Sequence, residues 1–401
     1  MNRIVVVGAS AAGLTTAETL RRRGWNGELT LIGDESRPPY DRPPLSKQIL
    51  TGTWEPDRAT LRTLRDLDRL KADLRLGQRA QALDVPGRQV RLEGGERIGF
   101  DALVVATGVA PRRLPDSDLA GVHVLRTLDD ALALRAALLA GPRVVVVGAG
   151  FLGTEVAAAA RAMGLEVTVV EPEPVPVRRP FGDRVGEFVA DLHRDHGTRL
   201  RCGVGVRGLH GAGGRVTEVE LGDGTTLPAD AVVLALGSTP ATGWMSGSGL
   251  RLRDGVECDA LCEAAPGVYA VGDVASWYNP HFGTRMRLEH RMNATEQAMA
   301  VAGNLLGDAT PYAPVPYFWT DQYDTRIQAY GIFPPDAEMR IAYGEPSDGH
   351  FAAAYGHHGR VVGVLGWNAP RQVRMLRRLV VDRAPWATFA AMPALSPAIV
   401  N

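Results

Sequence analysis

Cysteine is scarce in this chain. Cys202, Cys258 and Cys262 are its only cysteines among 401 residues. An odd, sparse set excludes a disulfide framework and favours a reducing compartment, so we expect the protein in the cytoplasm. Cys258 and Cys262 lack the tight CxxC spacing of a redox pair and fall on a predicted strand and the loop after it, which indicates a structural or incidental role.

Net charge and long apolar runs are also nearly absent. Forty-five acidic residues against 44 Lys and Arg leave a formal charge of −1, which gives no support to a general affinity for nucleic acid or anionic membrane. No run of about 18 uncharged apolar residues occurs, so a membrane-spanning helix is not expected. The chain enters a predicted strand within its first residues, and we therefore expect no secretory signal peptide.

What the sequence does contain is an internal repeat. IVVVGASAAG (Ile4–Gly13) and VVVVGAGFLG (Val144–Gly153) are each a continuous apolar run, a glycine turn and the start of an alanine-rich helical pattern. Each copy then continues with a second strand ending in acid, LTLIGDE or VTVVE, and closes much later on a similar strand and turn, ALVVATGVAP or AVVLALGSTP. Two copies of a dinucleotide-binding fold are therefore predicted.

The glycines have a specific purpose. In such a turn the first glycine permits the tight bend, the second lets the backbone approach a pyrophosphate, and the third lets the helix pack closely. The phosphates then meet a helix N-terminus with free N–H groups. The second copy has all three, Gly148, Gly150 and Gly153, whereas the first has Gly8 and Gly13 with a serine between them.

The acids at the ends of the second strands indicate which nucleotide each copy prefers. Asp34 and Glu171 are placed to accept hydrogen bonds from an adenosine ribose. A carboxylate at Glu171 would repel a 2′-phosphate, which favours NADH over NADPH in the second copy. A third segment, GVYAVGDVAS, is a short strand ending in Gly272-Asp273 ahead of a helical pattern, and an aspartate there can hold a polyol hydroxyl of a flavin while backbone N–H groups face phosphate.

Taken together, these segments resemble the FAD- and NADH-dependent ferredoxin reductases that feed cytochrome P450 and aromatic-ring oxygenase systems. The resemblance covers nearly the whole chain and is carried by GASAAG, DRPPLSK, VLRTLDD, GAGFLGTEVA, GSTP, YAVGD, RLEH and YFWTDQYD. It implies a glutathione-reductase-like fold. Disulfide reductases of that superfamily carry a CxxxxC near DRPPLSK, but residues 35–60 contain no cysteine, so electrons are expected to leave a flavin directly for a docked partner.

The resemblance also implies roles for individual residues. Lys47 would reach the flavin near N5 and pair with Glu155, and a lysine there would stabilise negative charge on reduced flavin. Trp319 would lie near the flavin and nicotinamide. The residues expected on the FAD side are Gly8, Ala12, Gly13, Asp34, Lys47, Ala80, Arg126, Asp273 and Arg291. Those expected on the NADH side are Gly148, Gly150, Gly153, Glu155, Glu171, Arg178, Arg179, Gly237 and Trp319.

Three positions depart from the family pattern. Arg291 stands where tryptophan or another apolar residue is common beside the flavin, which puts the local polarity in question. Val175 replaces a frequent arginine, and Glu263 a frequent threonine.

The last 80 or so residues have a different pattern. The short runs IQAYGIF, MRIAYG, FAAAYG and VVGVLGW predict an antiparallel sheet. The helical segment PRQVRMLRRLVVD places Arg371, Arg374 and Arg378 on one stripe, which either steers an acidic ferredoxin or is a solvated face. His193 and His196 can share a helix face, but no third ligand is evident and no metal site is expected.

The predicted fold class is α/β, with two Rossmann-like dinucleotide-binding domains and a C-terminal α+β domain with an antiparallel sheet. The FAD-binding domain is expected over residues 1–112 and 241–320, the NAD-binding domain over 113–240, and the C-terminal domain over 321–401. The expected activity transfers electrons from NADH through FAD to a [2Fe–2S] ferredoxin, which supplies a cytochrome P450 or a ring-hydroxylating oxygenase. A rubredoxin-type or nonspecific NADH dehydrogenase and a redox-sensing or binding platform remain alternatives, and the protein is expected to be a monomer or a homodimer.

Overall fold

The computed structural model describes residues 1–115 and 117–391. These residues form two compact units, each built from non-contiguous segments. Unit 1 comprises Met1–Asp41, Pro56–Ala110 and Ser238–Pro314, and unit 2 comprises Arg42–Glu55, Pro111–Gly237 and the chain from Val315. The boundaries expected for the three domains differ from these units and stay a prediction.

The strands and helices follow one another along the whole described chain. The first nine strands are β1 (Arg3–Val7), β2 (Glu28–Gly33), β3 (Asp73–Leu76), β4 (Ala80–Asp84), β5 (Gln89–Leu92), β6 (Arg97–Gly99), β7 (Ala102–Val105), β8 (Val109–Pro111) and β9 (Val122–His123). The next seven are β10 (Val144–Val147), β11 (Val167–Glu171), β12 (Arg199–Cys202), β13 (Val206–Ala212), β14 (Arg215–Leu221), β15 (Thr226–Pro228) and β16 (Ala231–Leu234). There follow β17 (Ser238–Pro240), β18 (Leu252–Arg253), β19 (Gly255–Cys258), β20 (Glu263–Ala265), β21 (Val268–Ala270), β22 (Ala275–Asn279) and β23 (Thr284–Met286). The last are β24 (Tyr317–Gln322), β25 (Thr325–Gly331), β26 (Glu338–Glu345), β27 (His350–His357) and β28 (Arg360–Trp367). The α-helices are α1 (Ala11–Arg22), α2 (Gln48–Thr51), α3 (Leu64–Asp68), α4 (Leu128–Leu139), α5 (Phe151–Ala162), α6 (Arg178–Phe181), α7 (Asp183–Asp195), α8 (Arg291–Leu305), α9 (Pro370–Val381) and α10 (Trp386–Ala391).

The internal repeat is present as two sheets in which five strands pair in parallel with matching topology, and the sheet of unit 1 adds β20 as an antiparallel edge strand. In unit 1 the strand order is β20-β21-β7-β1-β2-β3, and in unit 2 it is β12-β11-β10-β16-β9. Each glycine-turn strand, β1 or β10, lies between the acid-ending strand and the closing strand and pairs with both in parallel. All four residues of β10 are buried, as continuous apolar runs in a sheet covered on both faces require. The predicted pair of Rossmann-like folds is confirmed.

Unit 1 also contains smaller sheets. These are the four-stranded sheet β18-β19-β22-β23 and the three-stranded sheet β4-β5-β6. Helices α1 and α8 pack against each other over many residues in this unit.

The C-terminal part of unit 2 is the predicted antiparallel sheet, with strand order β24-β25-β28-β27-β26. Its core is aromatic and includes residues of the second dinucleotide-binding segment. Phe181 stacks on Phe318 with ring centroids 5.6 Å apart, and the Tyr355 hydroxyl donates to the Phe181 carbonyl over 3.1 Å. Val185 and Val189 of α7 are buried in the same cluster. Strand β24 is thereby fixed against the second dinucleotide-binding segment within one core.

Candidate functional site

The two glycine turns have the same backbone geometry. Gly8 has φ +117°, and a Cβ there would lie 2.1 Å from the Ala106 carbonyl oxygen, so only glycine fits. Gly148 repeats this with φ +105° and the Ala235 carbonyl oxygen at 2.3 Å. A Cβ at Gly13 or Gly153 would meet the carbonyl oxygen of the first glycine within 1.9 Å, which is the close helix packing that the third glycine was predicted to allow.

The middle position leaves room for a phosphate. Gly150 precedes α5, and a Cβ there would meet no heavy atom of the described residues within 4 Å. In the first turn Ser10 takes the corresponding place before α1 with extended backbone. The second turn therefore has open space in front of the N-terminus of α5, where N–H groups can meet a phosphate, and the first turn has the same strand, turn and helix order.

Asp273 and Asp34 flank the first turn in unit 1. Gly272 begins the short 3₁₀ turn that carries Asp273, and a Cβ on Gly272 would lie 3.1 Å from the Ala12 Cβ. Asp34 follows β2 and accepts from Arg79 through both carboxylate oxygens, over 3.1 and 2.8 Å. Asp34 and Asp273 therefore lie at the same edge of the sheet as the first glycine turn, after the parallel strands β2 and β21. Arg79 was missed by the sequence analysis, although it directly precedes the predicted Ala80 at the start of β4.

Arg291 is the departure from the family pattern that the structure explains in part. It is the first residue of α8, forms an ion pair with Asp41 and donates to the Thr295 hydroxyl over 2.5 Å. Its positive charge is therefore balanced by a carboxylate of the DRPPLSK segment. Arg291 also lines a cavity of about 220 Å³ in unit 1.

Glu171 is held in place by the backbone of its own site. One carboxylate oxygen accepts from the Ala149 N–H over 2.6 Å and the other from the Glu173 N–H over 3.0 Å. Ala149 lies inside the second glycine turn, so the acid and the turn form one structure. Because both oxygens are bound, the carboxylate has a fixed position from which to meet a ribose or repel a phosphate.

Arg178 and Arg179 lie beside this acid on α6 and both bind Glu173, over 3.0 and 3.1 Å. Hydrogen bonds from Arg179 and then Arg178 lower the pKa of Glu173 below its ordinary value. Arg178 also donates to Asp183 over 2.5 Å. Gly237 follows β16 with φ +81° and open space beside its Cα among the described residues. Gly148, Glu171 and Gly237 follow or end β10, β11 and β16, so these three predicted residues lie at the carboxyl edge of one parallel sheet.

Lys47 and Glu155 form an ion pair of 2.6 Å in unit 2. The side chains are only 14% and 9% exposed, so the pair is screened little by water. Lys47 directly follows the 3₁₀ helix Pro43–Ser46, and Glu155 lies in the early part of α5. The same carboxylate accepts from the Ser46 hydroxyl over 2.5 Å and from the Thr320 hydroxyl over 2.8 Å. Neither hydroxyl was identified from the sequence, although both lie inside the quoted motifs DRPPLSK and YFWTDQYD.

Two further predicted residues have structural partners of their own. Trp319 on β24 stacks on Tyr317 with centroids 6.0 Å apart and carries the Arg326 guanidinium 5.9 Å from its ring centroid. The Arg126 backbone N–H donates to Asp130 over 3.0 Å, next to the capping box that begins α4.

The three cysteines are free thiols. Cys258 ends β19 and Cys262 follows in the loop, as predicted, and both are buried. Burial raises the pKa of the Cys262 thiol to about 12 and holds the pKa of Cys258 well above its usual range. Burial also raises the pKa of Cys202. None of these thiols has the lowered pKa of a reactive cysteine.

The two histidines at the end of α7 have different surroundings, since His193 is buried whereas His196 is exposed directly after the helix. His193 is fully buried and bonds Gln322, while His196 stacks on Tyr323 with centroids 3.8 Å apart. Among the described residues, no three His, Cys, Asp or Glu side chains form a cluster that could hold a metal ion. Over residues 1–115 and 117–391, no helix has both the length and the apolar character needed to cross a bilayer.

Comparison with known proteins identifies the family. The family model described as pyridine nucleotide-disulphide oxidoreductase matches residues 2–298, and the model described as reductase C-terminal matches residues 317–394. The chain is 37% identical to the ferredoxin–NAD(+) reductase component of the anthranilate 1,2-dioxygenase system of Burkholderia cepacia, over 95% of this chain and 94% of that protein. It is 34% identical to rhodocoxin reductase of Rhodococcus erythropolis, over 95% and 90% of the two chains.

Solved structures give the same result. The ferredoxin reductase for the CYP199A2 system from Rhodopseudomonas palustris superposes with a TM-score of 0.92 at 34% identity, over 100% of this chain and 97% of that one. The covalent putidaredoxin reductase–putidaredoxin complex contains a chain with a TM-score of 0.92 at 32% identity, over 96% and 94%.

Proposed function

The chain belongs to the pyridine nucleotide-disulphide oxidoreductase family, and we propose that within it this protein is an NADH-dependent reductase of a [2Fe–2S] ferredoxin. The cofactors are FAD and NADH, and the enzyme is an oxidoreductase. The ferredoxin would supply a cytochrome P450 or a ring-hydroxylating oxygenase, as the names of the relatives suggest. A cytoplasmic location suits the three free thiols.

One observation carries the proposal. The segment that holds a cysteine pair in disulfide reductases holds Lys47 here, ion-paired to Glu155, and residues 35–60 contain no cysteine. Without a thiol relay, electrons would leave the flavin directly for an external acceptor, and the relatives named as ferredoxin reductases favour a ferredoxin. Cys258 and Cys262 cannot substitute for the relay because burial keeps both as unreactive thiols.

The residues of the chain would act by positioning and by charge. When bound, FAD supplies the chemistry that accepts a hydride and gives up electrons one at a time. The glycine turn at Gly148–Gly153 would hold the NADH pyrophosphate, and Glu171 would hold its adenosine ribose. Lys47, oriented by Glu155, would supply positive charge to reduced flavin, and Trp319 would pack beside the nicotinamide. Gly8, Ala12, Asp34 and Asp273 would bind FAD in unit 1.

The partner surface is proposed to include the arginine stripe of α9. Arg371, Arg374 and Arg378 are all exposed. Arg378 is bound to Asp382 over 3.0 Å, whereas Arg371 and Arg374 form no ion pair with any described residue. Two uncompensated charges one turn apart can attract an acidic protein surface.

The test is rapid-mixing kinetics of the holoprotein. We expect NADH to bleach the flavin absorbance, and a [2Fe–2S] ferredoxin to restore it much faster than a rubredoxin does. The Cys202→Ser protein should behave like the wild type, since Cys202 is the thiol with the greatest exposure. A requirement for any cysteine would overturn the proposal. Slow reoxidation by every carrier, with a change of oligomeric state on reduction, would instead favour a redox-sensing platform.

A further inference from the structure

A line of buried polar side chains leads away from Glu155 through the interior of unit 2. Thr320 on β24 donates its hydroxyl to the Glu155 Oε1 over 2.8 Å. The Gln322 Nε2 donates to the Thr320 Oγ1 over 3.3 Å, and the Gln322 Oε1 faces the His193 Nε2 at 2.9 Å. The His193 Nδ1 lies 3.2 Å from the Tyr323 hydroxyl. Thr320, Gln322 and His193 are each no more than 1% exposed.

The hydrogen bonds of this line have only one consistent direction. An ionised carboxylate can only accept, so Thr320 must give its single hydrogen to Glu155. The Thr320 oxygen then accepts from the Gln322 amide nitrogen, which turns the amide oxygen toward His193. The His193 Nε2 must therefore carry the ring proton, and Nδ1 accepts from the Tyr323 hydroxyl.

The state of His193 agrees with this direction. Burial lowers the pKa of His193 to about 4, so the ring is neutral at pH 7 and has one donor and one acceptor nitrogen. Every donor from Tyr323 to Thr320 thus points toward Glu155. Aligned dipoles of this kind stabilise a negative charge at their end, and they do so most effectively away from water.

We propose that Thr320, Gln322 and His193 are positioning residues that act as one hydrogen-bonded chain to hold the Glu155 carboxylate directed at Lys47. Glu155 Oε2 already binds both Lys47 and Ser46, over 2.6 and 2.5 Å. Thr320 is the donor to the other oxygen, so it fixes the rotation of the carboxylate. The inference rests on the proposed function, in which Lys47 supplies charge to reduced flavin.

This hydrogen-bonded chain also connects two regions of the sequence with different proposed functions. Glu155 lies in the proposed NADH-binding segment, whereas Thr320 and Gln322 lie on β24, the first strand of the C-terminal sheet. Thr320 directly follows Trp319. The C-terminal sheet would therefore contribute to the tuning of the lysine as well as to the binding of a partner.

The experiment compares four holoprotein variants in the NADH half-reaction alone. Thr320→Val removes the donor at nearly constant volume, and Thr320→Ser keeps it. His193→Phe removes the far end of the chain. Thr325→Val is the matched control, because Thr325 is a buried threonine on the neighbouring strand with no contact to Glu155. The readouts are the limiting rate constant of flavin bleaching at saturating NADH and the midpoint potential of the bound flavin.

We expect Thr320→Val to slow bleaching about tenfold, because a hydrogen bond to the charged Glu155 is lost. The potential should become more negative, because Glu155 would hold Lys47 less firmly near the negative charge of the reduced flavin. Thr320→Ser should stay within about twofold of wild type and Thr325→Val should match it, while His193→Phe should show a smaller shift of the same sign. The inference is overturned if Thr320→Val keeps the wild-type rate and potential, if Thr320→Ser is as slow as Thr320→Val, or if Thr325→Val is equally slow. A His193→Phe protein with wild-type values would overturn the part of the chain beyond Gln322.

Failure of the proposed function would look different. In that case NADH would leave the wild-type flavin oxidised, or no ferredoxin would reoxidise it. The comparison among the variants contains no ferredoxin, so an error in the identity of the acceptor leaves its result unchanged.

Discussion

Replacing Glu171 with glutamine should change the choice between NADH and NADPH. The Glu171 carboxylate cannot swing away from an incoming 2′-phosphate, because its two oxygens accept from the Ala149 and Glu173 N–H groups over 2.6 and 3.0 Å. The acid is therefore fixed where the adenosine ribose is expected. Glutamine has nearly the same shape but only one acceptor oxygen, so it can keep only one of the two backbone hydrogen bonds while it removes the charge. The lost hydrogen bond should affect both nucleotides, and the ratio between them reports the charge.

The magnitude follows from the charges. Juxtaposing like charges costs several kcal/mol. For the half-buried Glu171 carboxylate, a cost of about 2.7 kcal/mol on NADPH binding corresponds to a preference for NADH over NADPH on the order of a hundredfold in kcat/KM. We expect Glu171→Gln to lose most of that preference. NADH itself should be used roughly tenfold less well, because a hydrogen bond from the ribose to a charged acceptor becomes one to a neutral acceptor.

The assay is steady-state reduction of ferricyanide with each nucleotide, reported as the ratio of the two kcat/KM values. Glu166→Gln is the matched control, since Glu166 directly precedes the other end of β11 and pairs only loosely with Arg199, over 3.6 Å. The control should keep the wild-type ratio. An unchanged ratio in Glu171→Gln would refute the role given to this acid.

Three further outcomes are expected. Gly8→Ala should lower the free energy of unfolding by about 3 kcal/mol, because its Cβ would clash with the Ala106 carbonyl at φ +117°; an unchanged urea midpoint would contradict the tight turn. His193 has its pKa lowered to about 4 in the folded protein, so the unfolded state binds the extra proton as pH falls below about 6.5 and stability is lost in that direction. His193 accounts for about 2 kcal/mol of the fall in the free energy of unfolding between pH 7 and 5, and His193→Gln should reduce that fall by about the same amount in urea titrations at the two pH values. Arg371→Glu with Arg374→Glu should raise the KM for ferredoxin about tenfold at low salt and much less at high salt, whereas a KM equal to wild type would leave the stripe as a solvated face.

The dinucleotide-binding folds could be predicted because their signals are local. A strand, a glycine turn and a helix occupy some twenty consecutive residues in each copy, and only glycine satisfies the backbone at Gly8 and Gly148. The acids Asp34 and Glu171 follow from the same reasoning, since a strand that pairs in parallel with the glycine-turn strand ends at the same edge of the sheet. The antiparallel C-terminal sheet also followed from local alternation and composition.

The partners of these residues could not be predicted, because they come from distant positions in the chain. Arg79 binds Asp34 across 45 residues of sequence, and Thr320 binds Glu155 across 165. No spacing rule connects such positions, and only the packed core determines which hydroxyl meets which carboxylate. The pairing of Lys47 with Glu155 was expected from the family resemblance alone, and nothing in the composition or periodicity of the sequence indicates it.

The interleaved order of the segments has a consequence for synthesis on the ribosome. Unit 2 is built from Arg42–Glu55, Pro111–Gly237 and the chain from Val315, so its aromatic core cannot close until the final segment has been translated. Until then Glu155 has no hydrogen bond from Thr320, and the apolar faces of α6 and α7 that pack on the C-terminal sheet stay exposed to solvent. The nascent polypeptide must therefore remain partly open through most of its elongation, and a message truncated before that sheet should yield a product that chaperones and proteases recognise.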